Sequence, residues 1–382
     1  MRIKVRLPKV VPDVYDELEE CPKEGCDGRH FKPHSLKGKK KAIRDLSHQE
    51  VESFRWRCLK CKRTFRVYPR GVSSAQQSDR LKGITVLLYV LGLSYGAVSD
   101  FMDALGCEVC KTTVYNNVQA AGEKARERQR NSVKGGGKRA VIGADGTYVK
   151  IKGEQVGIEV VVDDESGELL GLDIIVSENS EEVLKVIRDV AEDVEADVIV
   201  SDDHGAYKEV AIELGLEHQI CRSHAKRNVD ELAESIQGQL KKREPLPKGV
   251  DSSPEDLVGD LESLQELIRE RPEDALEQLE ALYHRYKAAP VPKKGQRHTV
   301  WYRTRMLVTR LWDRWPNLTL DQRRDDLDGT NNGSERLIGW WIKERYRSMR
   351  GYKRPKSVKN VVTLTARMGV RSGHYEMTEL YS

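Results

Sequence analysis

No stretch of this chain is apolar for long enough to cross a bilayer. The longest run, Ile84 to Leu93, is about half of the roughly 20 residues a spanning helix needs, so no transmembrane helix is expected. No secretory leader is expected either: the N-terminus alternates basic and apolar residues and then turns acidic, with no apolar core and no small-residue cleavage site. The protein is therefore expected to stay in the cytoplasm. Cysteine is scarce, with seven in 382 residues. An odd count, mostly in two close pairs at Cys21/Cys26 and Cys58/Cys61, favours metal over disulfide in an intracellular chain. Hydrophobic residues reach only 38% against 33% charged, yet they fall in periodic blocks, which argues against wholesale disorder and for two or three folded units. Internal repeats and low-complexity tracts are absent.

What is present is an uneven charge distribution. Residues 1–140 hold 29 Lys+Arg against 16 Asp+Glu, while 141–382 hold 36 against 45. A basic N-terminal third ahead of an acidic remainder suits a polyanion-binding module attached to a part that holds cations or does chemistry. Within the acidic part, Arg336 to Arg371 carries eleven Lys/Arg against the single Glu344. That segment is also expected to face phosphate, with a merely solvated basic face as the alternative.

Residues 1–71 read as a zinc ribbon. Two cysteine pairs, each presenting thiolates from one tight turn, can supply a tetrahedral four-sulfur site where a hydrophobic core is too small to form alone. Cys58-Leu-Lys-Cys61 has the usual knuckle spacing. Cys21-x₄-Cys26 is looser, and the gap between the pairs is long enough that it must loop out. His30 or His34 can replace a cysteine, and unliganded structural cysteines are the alternative.

Residues 72–132 read as a helix-turn-helix domain. One apolar helix ends at Gly92, a second is capped by Ser94 and ends at Gly106, and a third opens with Thr112 and Thr113 as caps and finishes basic. A polar, basic third helix fits the major groove and places Lys111, Thr112, Thr113, Tyr115, Asn116 and Asn117 as DNA contacts. A plain three-helix bundle has the same pattern. Cys107 and Cys110 sit in a turn and read as structural.

After Gly135-Gly-Gly137 the period changes from 3.6 to 2. VIGADGTYVKI, QVGIEVVVDD and GELLGLDIIV are three β-rich runs separated by turn residues, as in an antiparallel meander. A helix, a short strand (ADVIVS), a helix and another short strand (to Cys221) follow, the element order of an RNase H-like α/β sheet. Residues 139–228 make the first part of this core and 329–375 the last part, with 229–328 as an all-α insertion. Asp145 lies among apolar neighbours, where a carboxylate is costly without a partner. Asp202 and Asp203 follow the strand ADVIVS, and Glu335 opens the last helix. Carboxylates from two neighbouring strands and a helix can hold two Mg²⁺ ions for phosphodiester displacement. Turn and cap acids are the alternative.

GADGTY, VSDDHGAY, HQICRSHAKRN and TNNGSERLIGWWIKERYRSMRGY, in that order, resemble the DDE transposases of prokaryotic insertion sequences, nearest to the Mutator-like superfamily. NNGSER is similar to other insertion-sequence families as well, so the subfamily stays open. The resemblance implies that Asp145, Asp202 and Glu335 are the catalytic, Mg²⁺- or Mn²⁺-holding triad and that Cys221 and His224 are the family's accessory pair. It implies cutting of double-stranded DNA at transposon ends by metal-activated water, then attack of the freed 3′-hydroxyl on target DNA, in a homodimer or larger assembly. Arg345, Arg347, Arg350, Lys353 and Arg354 of the second basic segment are expected to contact DNA. Asp203 is expected to cap the following helix. Trp340 and Trp341 are expected in the core, with stacking on an unpaired base as the alternative. A stand-alone RNase H-like nuclease and a regulator that has lost catalysis are the other readings.

Overall fold

The computed structural model describes residues 4–35, 37–74, 76–240, 245–349, 351–368 and 374–381. Its centre is a mixed five-stranded sheet. Val141–Ile151 (β7), Glu154–Asp163 (β8) and Leu169–Ile175 (β9) form the antiparallel meander expected from the period-2 pattern, and Val198–Ser201 (β10) and Glu217–Ile220 (β11) add in parallel on the β7 edge, in the order β11-β10-β7-β8-β9. Positive-φ Gly153 turns β7 into β8, and positive-φ Gly167 lies in the turn before β9.

Earlier in the chain come Lys4–Arg6 (β1), Phe31–Pro33 (β2), Lys39–Arg44 (β3), Glu50–Cys58 (β4), Thr64–Val67 (β5) and Gln76–Gln77 (β6). The long gap between the cysteine pairs is largely folded: β2, β3 and β5 all pair antiparallel with β4. Next are helices Asp79–Val90 (α1), Tyr95–Ala104 (α2) and Lys111–Gly135 (α3). Ser94 accepts from the Ala97 amide and caps α2, as its position suggests. The expectation for α3 needs correction, because its N-cap is Cys110 and neither Thr112 nor Thr113 occupies that position.

Two helices, Ser180–Val194 (α4) and Gly205–Leu214 (α5), cover one face of the sheet around Ile142, Ala144, Val161, Ile187, Ile199 and Val210. Arg222–Leu240 (α6), Pro254–Glu270 (α7), Ala275–Tyr286 (α8) and Val300–Leu318 (α9) pack around their own core of Leu257, Leu261, Leu264, Leu279, Trp301 and Leu311. The chain returns through Asn332–Arg336 (α10), a π-helical stretch Leu337–Lys343, Glu344–Arg347 (α11), Pro355–Met368 (α12) and His374–Glu376 (β12), which pairs with β1.

Helices α1 to α3 do not stand apart from this body. Val98, Met102, Val114 and Val118 share one core with Val160 and Val162 of β8 and with Val358, Val361 and Leu364 of α12. Contact between α3 and α12 is close: a Cβ at Gly122 would meet Asn360 at 2.5 Å, so only glycine lets the two helices approach this far. Among the described residues, no helix is long and apolar enough to cross a membrane.

Candidate active site

β10 lies on β7 with Val198 opposite Val141 and Val200 opposite Gly143. Asp202 directly follows β10, and extending this register two residues directs it toward Asp145, whose carboxyl feels its charge, with alternation placing both on one face. That face carries Val149 and Val160, on the side of the last helices. Glu335 is held near Asp145 by a lock between strand β7 and the turn that opens α10. Asn331, fully buried, donates from Nδ2 to the Ala144 carbonyl at 2.8 Å, and Ser334 Oγ donates to the Asn331 carbonyl at 3.2 Å. A Cβ at Gly143 would sit 2.7 Å from Asn331 Oδ1, so the glycine before Ala144 is what admits the turn that carries Glu335.

The Asp145 carboxyl is pushed up to about 6. Burial is the main cause; His224 works against it, and the negative charges of Asp202 and Glu335 add to it. Asp202 Oδ1 also accepts from the His204 amide at 2.9 Å, which fixes the turn after β10. A divalent cation among these oxygens would relieve the strain between like charges, and carboxylates are the hard donors that Mg²⁺ and Mn²⁺ prefer.

Glu335 is turned toward a different pair. Its Oε1 lies 3.4 Å from His224 Nδ1 and 4.0 Å from Cys221 Sγ. Cys221 directly precedes α6, and its sulfur accepts the Asn331 amide at 3.3 Å. Burial works to raise the thiol, but its contacts with His224 and the hydrogen bond from the Asn331 amide outweigh it and hold Cys221 below its usual value. His224 is raised, chiefly by its contact with Cys221.

Asp203 is not a helix cap. The N-cap of α5 is His204, whose side chain accepts from the Ala206 amide. Asp203 instead turns to the helical insertion, with Oδ2 accepting from Arg310 Nε at 2.7 Å and Oδ1 lying 3.1 Å from Arg314 Nε.

One carboxylate escaped the sequence reading. Glu159 is fully buried in β8, opposite Gly146, and accepts from the Tyr207 hydroxyl at 3.0 and 3.2 Å. Strand alternation sends it to the α5 face, away from Asp145's side chain. Burial holds it far above the ordinary carboxyl range, with Asp145 adding to the effect. Its signal was a lone Glu inside the apolar run VGIEVVV, the same signal that marked Asp145.

At the other end of the chain, Cys21 and Cys61 sulfurs lie 3.8 Å apart, as do those of Cys26 and Cys58, and all four are within 4.8 Å of one another. A zinc–thiolate tetrahedron with bonds of about 2.3 Å has edges of about 3.8 Å. Two edges of the four-sulfur cluster thus already match a zinc site, and His30 and His34 are outside the cluster. A Cβ at Gly28 would meet Cys58 Sγ at 2.6 Å, so glycine keeps the knuckle open.

The expected DNA-facing residues divide. Lys111, Thr112, Asn116, Arg347, Lys353 and Arg354 are exposed, whereas Thr113 and Tyr115 are half-buried. Asn117 faces inward, donating to Gln77 Oε1 and Thr85 Oγ1 at 3.0 and 3.1 Å. Arg345 is buried too, its guanidinium 4.1 Å from the Tyr89 ring centroid and bonded to Ser348. Both are corrected from DNA contacts to structural residues, because each spends its donors inside the core shared by α1 to α3 and the C-terminal helices. Arg350 lies outside the described residues. Trp341 packs on that core, while Trp340 is 55% exposed.

No curated protein matches the sequence. Among solved structures, the HTLV-2 integrase catalytic core domain in complex with magnesium (trimeric form) covers 32% of this chain and 82% of its own, at 16% identity and a TM-score of 0.20. The Drosophila P element transposase strand transfer complex covers 75% and 92%, at 9% identity and a TM-score of 0.35. Both likenesses are loose. Residues 77–348, which run from β6 through all three site carboxylates to the end of the last site helix, match the model of the Transposase IS66 family, and the chain belongs to that family.

Proposed function

We propose that this transposase works by a DDE mechanism. Asp145, Asp202 and Glu335 are its metal-holding residues, in an RNase H-like core made of residues 139–228 and 329–375 and interrupted by the insertion at 229–328. The observation that supports this reading is the register of β10 on β7, which directs Asp202 toward Asp145, together with the Asn331 bond to Ala144 next to Asp145 at the turn that carries Glu335.

Two carboxylates fixed on adjacent strands form a rigid half-site, and Glu335 completes it from the end of a helix. Bound there, Mg²⁺ or Mn²⁺ supplies activation of the attacking oxygen and stabilisation of the leaving one. Asp145 has to be ionised to contribute, and with its carboxyl pushed up to about 6 by burial, a bound cation would favour its charged form. Asp203, tied to Arg310 and Arg314, holds the turn that carries Asp202.

Residues 1–71 act as a zinc ribbon on the four cysteines, and 72–132 as a helix-turn-helix that presents Lys111, Thr112 and Asn116 to transposon-end DNA. Arg347, Lys353 and Arg354 extend the basic surface toward the substrate. The active assembly on DNA is a homodimer or larger. Strand transfer with pre-cut ends tests the reading: Glu335→Ala protein that still joins them at the normal rate overturns the triad. Cleavage without any joining would shift the assignment to an RNase H-like nuclease.

A further inference from the structure

Cys221, His224 and Glu335 bring a sulfur, an imidazole nitrogen and a carboxylate oxygen within 4.8 Å of one another. The geometry points to a zinc-type metal site built from these three side chains, with a fourth position open to solvent, whose occupancy takes Glu335 out of the carboxylate triad.

The distances support a shared metal. A tetrahedral zinc ion with bonds of about 2.0–2.1 Å to nitrogen and oxygen and about 2.3 Å to sulfur needs edges of about 3.3 Å (N to O) and about 3.6 Å (S to O). Here His224 Nδ1 is 3.4 Å and Cys221 Sγ 4.0 Å from Glu335 Oε1. A shift of a few tenths of an ångström closes the second edge, within reach of a glutamate side chain that is 33% exposed.

Local architecture supports it as well. Cys221 directly precedes α6 and His224 lies in its first turn, so a two-residue spacer holds both donors at one helix end. His224 Nδ1 is buried and makes no hydrogen bond of acceptable geometry, although a carboxylate oxygen faces it. An imidazole nitrogen and a carboxylate that approach without a directed hydrogen bond are arranged as co-ligands are. The Asn331 amide on Cys221 Sγ is the kind of outer contact that orients a metal-bound thiolate. The donor set is also selective. Sulfur and imidazole suit zinc, whereas three carboxylates suit magnesium, so the two sites prefer different metals and compete for one residue, Glu335. That competition rests on the triad reading above; the metal site itself does not.

Metal content of the full-length protein tests the site. Zinc-loaded and dialysed Cys221→Ala and His224→Ala proteins should each hold about one equivalent less than wild type, whatever the four N-terminal cysteines bind. Added Co²⁺ should give wild type a thiolate-to-cobalt absorption band that is missing from the Cys221→Ala spectrum. Equal zinc in wild type and in folded variants, with superimposable cobalt spectra, overturns the site. Should both variants melt early, Cys58→Ser/Cys61→Ser protein tests the same point from the other side, because retained zinc supports the site and its loss counts against it. Zinc added at fixed Mg²⁺ should slow strand transfer; a filled site with undiminished transfer overturns the competition alone. Joining by Glu335→Ala protein would instead overturn the triad, while the zinc counts of wild type, Cys221→Ala and His224→Ala proteins still decide the metal site.

Discussion

Arg310 Nε donates to Asp203 Oδ2 at 2.7 Å, which ties the last helix of the insertion to the residue that follows Asp202. Arg314, one turn further along α9, flanks the other oxygen, and the Asp203 side chain is 11% exposed. Removing the carboxylate leaves the half-buried Arg314 without its partner. Asp203→Ala should therefore cost about 1–3 kcal/mol, more than loss of an exposed ion pair. Thermal melts of Asp203→Ala, Arg314→Ala and the double variant check this. Strictly additive effects would mean that the two groups do not interact.

On the proposed DDE reading, in which the carboxylates hold metal and the exposed basic residues hold DNA, Asp202→Asn and Asp145→Ala should each abolish cleavage and joining while leaving end binding largely intact. Gel-shift and strand-transfer assays on the same preparations separate the two. Loss of binding in parallel with activity would point to a folding defect instead.

The raised Asp145 carboxyl fixes the sign of a pH effect. Its folded-state value, about 6, lies above the ordinary 3.8, so the folded protein takes up the proton more readily than the unfolded chain. Without Mg²⁺, the cost of the buried charge is absent below the ordinary value, grows as pH rises toward 6, and is fully present above it. Asp145→Asn should raise the melting temperature in Mg²⁺-free buffer above pH 6, by at most about 2–3 kcal/mol of stability, and leave it unchanged at acid pH. Proton and Mg²⁺ compete for this carboxyl, so the Mg²⁺ concentration needed for half-maximal joining should rise as pH drops through the window near 6. A flat profile there would show that Asp145 is not the limiting charge.

Zinc should be needed to fold the N-terminal part. Among the described residues, the cluster around the four sulfurs buries Cys21, Cys58 and Phe65, with Leu18, Phe31, Trp56 and Val67 partly buried against it, a small core for holding β2, β4 and β5 together. Cys58→Ser/Cys61→Ser should lower zinc content, make residues 21–71 sensitive to protease and weaken end binding. Binding to end DNA should also fall steeply with salt, through release of counterions from phosphate. Unchanged zinc and unchanged binding in that variant would remove the ribbon.

Much of this protein was written locally. β7 follows the run VIGADGTYVKI residue for residue, because alternation of apolar and polar side chains is a property of consecutive positions. The placement of acids at Asp145, Asp202 and Glu335, and the cysteine spacings, are likewise visible in short windows. Tertiary structure decided which face of each helix is available. Asn117 and Arg345 look like polar, DNA-facing residues in isolation, but α1 to α3 and the C-terminal helices share one core, and both turn inward to it, Asn117 onto Gln77 and Arg345 onto Ser348. It also decided that Asp203 pairs with Arg310, 107 residues away in sequence, and that Asn331 locks onto Ala144, 187 residues away. Composition and periodicity act over a few residues, whereas burial of a polar side chain depends on which distant partner the fold brings to it.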